Sequence, residues 1–195
     1  AGQWKLNAFR LALILGVIST PMMVIHDVPS IHLLSRFMGG VSGALAMISG
    51  SSLLMMSLPK DRALTGMGIH FSGVGFGIVL TGASVVLLRD QLGADGLWLL
   101  AFAVSLPLAI LSWFWMPKPI IAPKNTTNAQ AKIPWNLFTI LLLFIYFIEG
   151  AAYVIDATFL VRIFNAIPEI AFIAEWAWVL LGIAVIPSTY AWSRI

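Results

Sequence analysis

The sequence predicts an all-α protein that lies in a membrane as a polytopic bundle of six transmembrane helices. Of its 195 residues, 60% are hydrophobic and only 10% are charged, whereas a soluble domain carries about 25% charged residues. The mean hydropathy is +0.96. Six stretches reach the roughly 20 apolar residues that a bilayer-crossing helix needs. They are residues 8–26, 37–58, 66–88, 96–116, 135–158 and 170–193.

The first of these stretches begins after Lys5 and Arg10, as the apolar core of a signal peptide would. Its apolar run continues through Pro21 to Ile25, however, and no small-residue cleavage site follows. We therefore predict a spanning helix rather than a leader that is removed.

Short, turn-forming connections join the first four spans. They are DVPS (27–30), SLPKDR (57–62) and RDQLGADG (89–96). The fourth span is followed by residues 117–134, which are polar, basic and interrupted by prolines. This segment is predicted to link the first four helices to the last two. Because the chain starts with Ala1 rather than Met and stops at Ile195 directly after an apolar segment, we expect both ends to be cut.

The lysines and arginines predict the orientation, because cytoplasmic loops collect them. Eight lie on one side of the predicted spans, and only Arg89 and Arg162 lie on the other, with Arg36 at the start of the second span. The eight are Lys5, Arg10, Lys60, Arg62, Lys118, Lys124, Lys132 and Arg194. Both chain ends and the 117–134 linker are therefore predicted to be cytoplasmic. The net charge of +3 is too small to suggest a nucleic-acid partner.

Two consecutive stretches resemble the major facilitator superfamily, in its YbfB/YjiJ-like branch. They are LLSRFMGGVSGALAMISGSSLL (33–54) and GIHFSGVGFGIVLTG (68–82), and residues 146–160 and 176–195 are similar to the same branch. The Arg-x-x-Gly of Arg36 to Gly39 matches the superfamily's fourth-helix motif. The glycine run lies where antiporter members carry a fifth-helix motif, but it lacks that motif's proline.

The resemblance implies two six-helix halves joined by a cytoplasmic loop. The six spans would be helices three to eight, with two helices missing before the first residue and four after the last. Residues 1–116 would end the N-terminal half, and residues 135–195 would begin the C-terminal half. The resemblance also implies a secondary active transporter of the bacterial inner membrane, coupled to protons and moving a small organic solute by alternating access. It implies no enzyme activity, cofactor or obligate protein partner.

Ionisable groups inside a membrane usually mark a pathway or a buried pair. Glu149 lies about 21 Å into the fifth span, and Tyr153 and Asp156 follow on the same helical face. This acidic–aromatic–acidic stripe suits a cation or a proton, and by resemblance its helix lines the central cavity. The alternative is a protonated Glu149 that only hydrogen-bonds to a neighbour. Asp156 and Glu175 lie close enough to the outer boundary to reach the interface.

Two basic side chains, Arg36 and His70, each have more than one possible role. Arg36 could close the external side through a bridge to a carboxylate. His70 could accept a proton near neutral pH, or it could be a hydrogen-bonded packing element. His26 and His32 flank the outer loop without Cys or Glu at ligand spacing, so no metal site is predicted.

The glycines predict close helix packing, since small residues let helix backbones approach in lipid. Gly73 and Gly77 form one G-x-x-x-G pair, and Gly39 and Gly43 form another. These contacts could be static, or they could slide during a gating movement.

Two other protein classes are alternatives to the transporter. Ser42 in GVSG and His70 in HFSG resemble the dyad of rhomboid intramembrane proteases. On antiparallel helices the two would lie about 18 Å apart in depth, which is too far for a Ser–His dyad. The remaining alternative is a non-transporting membrane subunit or scaffold, whose embedded charges form static pairs.

Overall fold

The computed structural model describes residues 2–116 and 135–193, and the predicted linker at 117–134 lies outside these residues. Every regular element in the described part of the chain is helical. A short 3₁₀ helix, Ala171–Trp176, precedes the last α-helix. The α-helices are α1 (Gly2–Met22), α2 (Pro29–Ser57), α3 (Lys60–Trp115), α4 (Leu137–Ala166) and α5 (Ala177–Trp192).

Helix α3 contains both the third and the fourth predicted spans, and it changes direction at Gly93. This residue has φ +64° and ψ −174°, which are not helical values, and a side chain would be strained at such a positive φ. We call the segments before and after it α3a (60–92) and α3b (94–115). The predicted connection at 89–96 is thus reduced to a single non-helical residue.

Contacts with α1 show that α3b runs back alongside α3a. In a straight helix His70 and Trp113 would lie about 64 Å apart. Instead, His70 and Phe9 both lie beside Gly50 of α2, and Trp113 lies under the guanidinium of Arg10, the residue after Phe9. We call this end of the helices the Lys5 end.

The opposite end of the same helices is marked by an ion pair. His26 follows α1, and its Nε2 lies 2.6 Å from Asp95 Oδ1, near the start of α3b. Met22, the last residue of α1, is 12 residues beyond Arg10 and therefore lies about 18 Å further along the helix axis, and His26 follows it. We call this the His26 end.

Helices α1 and α2 pack through small and hydroxyl residues spaced seven apart. Ser35, Ser42 and Ser49 of α2 are buried, as are Ala12 and Ser19 of α1. The Ser42 hydroxyl donates to the Ala12 carbonyl at 2.7 Å, and the Ser35 hydroxyl donates to the Ser19 carbonyl at 2.7 Å. Small residues at this spacing bring two helix backbones together, and the hydroxyls add hydrogen bonds between them.

The chain forms two compact units. Unit 1 is Ala1–Ile121 with Val179–Ile195, and it contains α1, α2, α3 and most of α5. Unit 2 is Ala122–Trp178, with α4 and the 3₁₀ helix. Helix α4 is capped by Asn136, whose side chain accepts a hydrogen bond from Thr139 N at 2.9 Å. None of its residues is buried.

Within residues 2–116 and 135–193, four helices are long and apolar enough to cross a membrane. They are Pro29–Ser57, Asp61–Trp115, Leu137–Ala166 and Ala171–Trp192. The second of them contains the reversal at Gly93, and α1 is not among the four. These helices support the prediction of an integral membrane protein, whereas the number of six spans stays a prediction. Helix α2 begins eight residues before the predicted 37 and α4 ends eight residues after the predicted 158, because helical hydrogen bonding continues where the hydropathy falls.

We expect Gly16→Ala to destabilise the α1–α2 contact, and Gly43→Ala to leave it intact. A Cβ on Gly16 would lie 2.7 Å from the Ser42 Oγ, whereas one on Gly43 would meet nothing within 4 Å. Displacing Ser42 would weaken an interhelical hydrogen bond, at a cost of about 0.6–2 kcal/mol. Thermal unfolding in detergent measures the difference. Equal melting temperatures for the two variants would show that this packing is wrong.

Candidate functional site

Two glycines bring the backbones of helices α3a and α5 into close contact. A Cβ on Gly75 would lie 2.8 Å from the Gly182 carbonyl oxygen and 3.0 Å from the Ile186 nitrogen. A Cβ on Gly182 would lie 2.8 Å from the Gly75 carbonyl oxygen. Real Cβ atoms do not come this close to backbone, so both positions require glycine.

A hydroxyl cluster lies beside this glycine crossing. The Ser72 Oγ is 2.9 Å from the Gly68 carbonyl oxygen of its own helix and 2.9 Å from the Ile186 carbonyl oxygen of α5. It is also 2.8 Å from the Thr189 Oγ1, where either hydroxyl can donate. Ser72 therefore holds α5 through polar contacts that lipid cannot replace. We call the crossing of Gly75 and Gly182, with Ser72 and Thr189, the α3a–α5 crossing.

The predicted packing glycines occupy other positions. A Cβ on Gly43, Gly73 or Gly77 would meet nothing within 4 Å, and one on Gly39 would lie 3.7 Å from the Ser19 Oγ. Gly75 lies between Gly73 and Gly77 but points to the other side of the helix, since two residues turn it by about 200°. The α3a–α5 crossing thus uses a face that the G-x-x-x-G pattern did not select. The packing or gating role of the four predicted glycines stays a prediction.

His70, on α3a, lies beside Gly50 of α2 near the Lys5 end. Its Cε1 is 3.4 Å from the position of a Cβ on Gly50, and its ring meets Phe71 edge-on with centroids 5.4 Å apart. Its Nε2 is buried and has no hydrogen-bond partner among the described residues. The ring is packed, as the structural interpretation expects, but no described residue hydrogen-bonds to its Nε2, and the role as a proton acceptor stays a prediction.

The structure does not join Ser42 and His70 into a dyad. The Ser42 hydroxyl donates to the Ala12 carbonyl, whereas His70 packs beside Gly50. Ser42 and Gly50 are eight residues apart on α2, which is about 12 Å along its axis. The separation agrees in direction with the depth difference expected from the sequence.

Arg36 lies at the His26 end and lines a small cavity. Its guanidinium carbon is 5.3 Å from the ring centroid of Trp98 in α3b, a distance at which a cation is attracted to an aromatic face. The cavity has a volume of about 200 Å³. It is lined by Ser19, Thr20, Met23, Ser35, Arg36, Gly39, Gly40 and Trp98. Both ends of the Arg-x-x-Gly motif therefore line one cavity, and its serine and tryptophan walls were not predicted.

The acidic–aromatic–acidic stripe lies on α4 in unit 2. Glu149, Tyr153 and Asp156 are all exposed. Neither carboxylate makes a hydrogen bond or an ion pair with another described residue. The helix around them has a hydropathy of 2.1. A carboxylate as deep in such an apolar helix as Glu149 is costly in lipid, so it needs a partner or a proton there.

The two histidines at the His26 end form a ring pair. The rings of His26 and His32 meet edge-on, with centroids 5.9 Å apart, and His26 is bonded to Asp95. No group of three or more His, Cys, Asp or Glu in the described ranges is placed to hold a metal ion. The His26–Asp95 contact joins residues 69 apart in sequence, so spacing gave no signal for it.

A family model described as "Uncharacterised MFS-type transporter YbfB" matches residues 1–195. The chain belongs to this family. No curated protein matches it, and no solved structure does. Membership makes the chain a membrane transporter of the major facilitator type, which implies a small-molecule substrate. Its apolar helices agree with a membrane protein. The family suggested by residues 33–54 and 68–82 is thereby confirmed.

We expect Gly75→Ala to disrupt this transporter, and Gly73→Ala to be tolerated. An alanine at 75 must push α5 away, because its Cβ meets backbone at 2.8 Å and 3.0 Å, whereas nothing lies within 4 Å at 73. The loss for Gly75→Ala is expected to be a few kcal/mol, in the range of overpacked cores. Thermal unfolding measures it, and Gly73→Ala is the matched control. A Gly75→Ala protein as stable as the control would mean that α3a and α5 do not touch at this residue.

Proposed function

We propose that the chain is part of a proton-coupled secondary transporter that moves a small organic solute by alternating access. Glu149 is the proposed coupling residue, with Tyr153 and Asp156 on the same face of α4. The single observation that supports this assignment is that Glu149 has no partner among the described residues, although it lies within an apolar helix. A carboxyl group in that position is stable in the low-dielectric membrane interior only when it is protonated or paired.

The α3a–α5 crossing supports the alternating-access part of the proposal. Helices that move against each other need close contact without interlocking side chains, and glycines provide it. Gly75 and Gly182 place two backbones in direct contact. In the proposed assignment, α3a is the fifth helix of the N-terminal half and α5 is the eighth helix of the whole transporter. Their contact is then one between the two halves.

Arg36 and His70 have secondary roles in this proposal. Arg36 is proposed to close the outer side, where its cavity and Trp98 hold the guanidinium at the His26 end. His70 is proposed to accept protons at the Lys5 end, where its Nε2 is free of any described partner. The Lys5 end is proposed to be cytoplasmic, in a bacterial inner membrane, because the basic flanks lie there.

Single cysteines would test the orientation and the number of spans, because the chain has no cysteine of its own. We expect Asp27→Cys, Asp90→Cys and Glu169→Cys to react with a membrane-impermeant maleimide in intact spheroplasts. Asp61→Cys should react only after the membrane is opened. The measurement is labelling before and after permeabilisation. If residues 90 and 61 are labelled from the same side, α3 does not contain two spans. If residue 61 reacts in intact spheroplasts and residues 27, 90 and 169 react only after permeabilisation, the orientation is wrong.

Glu149→Gln is expected to abolish solute accumulation driven by a pH gradient, because the glutamine cannot carry a proton. The assay offers a defined mixture of organic solutes to vesicles that contain the transporter, with the interior made acidic or alkaline, and quantifies each solute inside by mass spectrometry. The wild type should concentrate or expel at least one solute at least tenfold more than protein-free vesicles.

Glu169→Gln is the matched control, since Glu169 is an exposed carboxylate that lies beyond the end of α4. It should transport like the wild type. Gradient-driven transport that survives Glu149→Gln would refute the coupling assignment while leaving the transporter intact. If no solute moves in any protein but the folded chain is present, the alternative of a static membrane subunit is favoured.

A further inference from the structure

An apolar groove runs along α1 and α3b towards the Lys5 end, and the mechanism proposed above does not use it. Its volume is about 370 Å³. Nine residues line it, and all of them are apolar or aromatic. They are Leu13, Ile14, Val17, Ile18, Leu106, Ala109, Ile110, Trp113 and Phe114. The lining covers residues 13–18 of one helix and 106–114 of the other, so the groove extends roughly 8–12 Å along the helices.

The groove is open on the outer surface of unit 1. Ile14 is 44% exposed, Ile110 is 50% exposed and Phe114 is 80% exposed. An open apolar channel between two helices would be filled by solvent or detergent in water, but in a bilayer it faces hydrocarbon. Its shape and composition fit one flexible aliphatic chain.

A cation lies at the end of the groove nearest the Lys5 end. The guanidinium carbon of Arg10 is 4.8 Å from the centroid of Trp113, one of the lining residues. The Arg10 Nε is buried and has no hydrogen-bond partner among the described residues, and no described carboxylate pairs with this guanidinium. Its charge is therefore fixed in place by the ring and left without a counter-ion in the described ranges.

The other cation of α1 is differently engaged. Lys5 Nζ donates to the Ser52 hydroxyl and lies 3.7 Å from the Met56 sulfur, so it ties α1 to α2. Arg10 instead lies about one turn from Leu13, the first residue of the groove. The uncompensated cation and the apolar groove thus share one helix and one face.

We propose that this groove is a binding site for one anionic phospholipid. The phosphate pairs with the Arg10 guanidinium beside Trp113, and an acyl chain lies in the groove between α1 and α3b. Charge complementarity selects an anionic lipid over a zwitterionic one, since a guanidinium pairs strongly with phosphate and no local carboxylate competes for it. Basic pockets between membrane helices on the cytoplasmic side commonly recognise such headgroups. The assignment depends on the chain being membrane-embedded and not on what it transports.

The test titrates the purified full chain with phosphatidylglycerol or phosphatidylcholine of identical acyl chains, and counts bound lipids by native mass spectrometry. The wild type should bind phosphatidylglycerol preferentially. Arg10→Gln should reduce that preference about fivefold, the effect of one basic residue near an anionic headgroup. Arg10→Lys should retain most of it, because the charge remains.

The groove has its own pair of variants. Ala109→Trp fills it and should lower the binding of both lipids. Leu108→Trp is the matched control, because Leu108 is the adjacent residue, is 54% exposed and does not line the groove. Arg62→Gln is the control for charge, since Arg62 is an exposed cation at the same end of α3a. Both controls should bind lipid like the wild type, and circular dichroism confirms that each variant is folded.

Several results would overturn the proposal. A preference for phosphatidylglycerol that survives Arg10→Gln would do so, and so would an equal loss in Arg62→Gln, which indicates a diffuse electrostatic effect. Unchanged binding in Ala109→Trp would remove the acyl-chain site. Full displacement of the lipid by soluble glycerol phosphate would show a phosphate site and not a lipid site.

Discussion

Close approach of helix backbones at small residues is the constraint on which the described structure depends. Between helices in lipid there is no hydrophobic driving force, because lipid tails are as apolar as leucine. Association must come from packing and from hydrogen bonds between helices. Helices α1 and α2 meet through buried serines that donate to backbone carbonyls. Helices α3a and α5 meet where Gly75 and Gly182 leave no room for a side chain.

The same constraint explains how two kinds of glycine can occur in one helix. Gly75 lies against another backbone, whereas Gly73 and Gly77 have open space beside them. A sequence pattern counts all three equally, since it records size and spacing but not the direction in which each position points. The sequence therefore predicted that α3 packs closely, and it could not predict which face does so. That face depends on α5, more than 100 residues away.

The all-helical membrane class and the family could be predicted from the sequence because they depend on sums over many residues, whereas the six spans stay a prediction. Composition and hydropathy are such sums, and so is the resemblance of residues 33–54 and 68–82. The helix boundaries were predicted less accurately. Hydropathy reflects the thickness of the hydrocarbon layer, whereas a helix continues as long as its backbone hydrogen bonds do. Contacts between distant side chains, such as Arg10 with Trp113 and His26 with Asp95, left no trace in local spacing.

The reversal at Gly93 has a mechanical consequence for unit 1. Only one non-helical residue separates α3a from α3b. This short connection restricts independent movement of the two helices. Helix α3a contacts α5 at Gly75. A tilt of α3a would rotate α3b about Gly93. Helix α3b in turn is tied to α1 by Asp95 at one end and by Trp113 at the other. A displacement at the α3a–α5 crossing would therefore be transmitted to α1 through α3b, with Gly93 as the hinge residue.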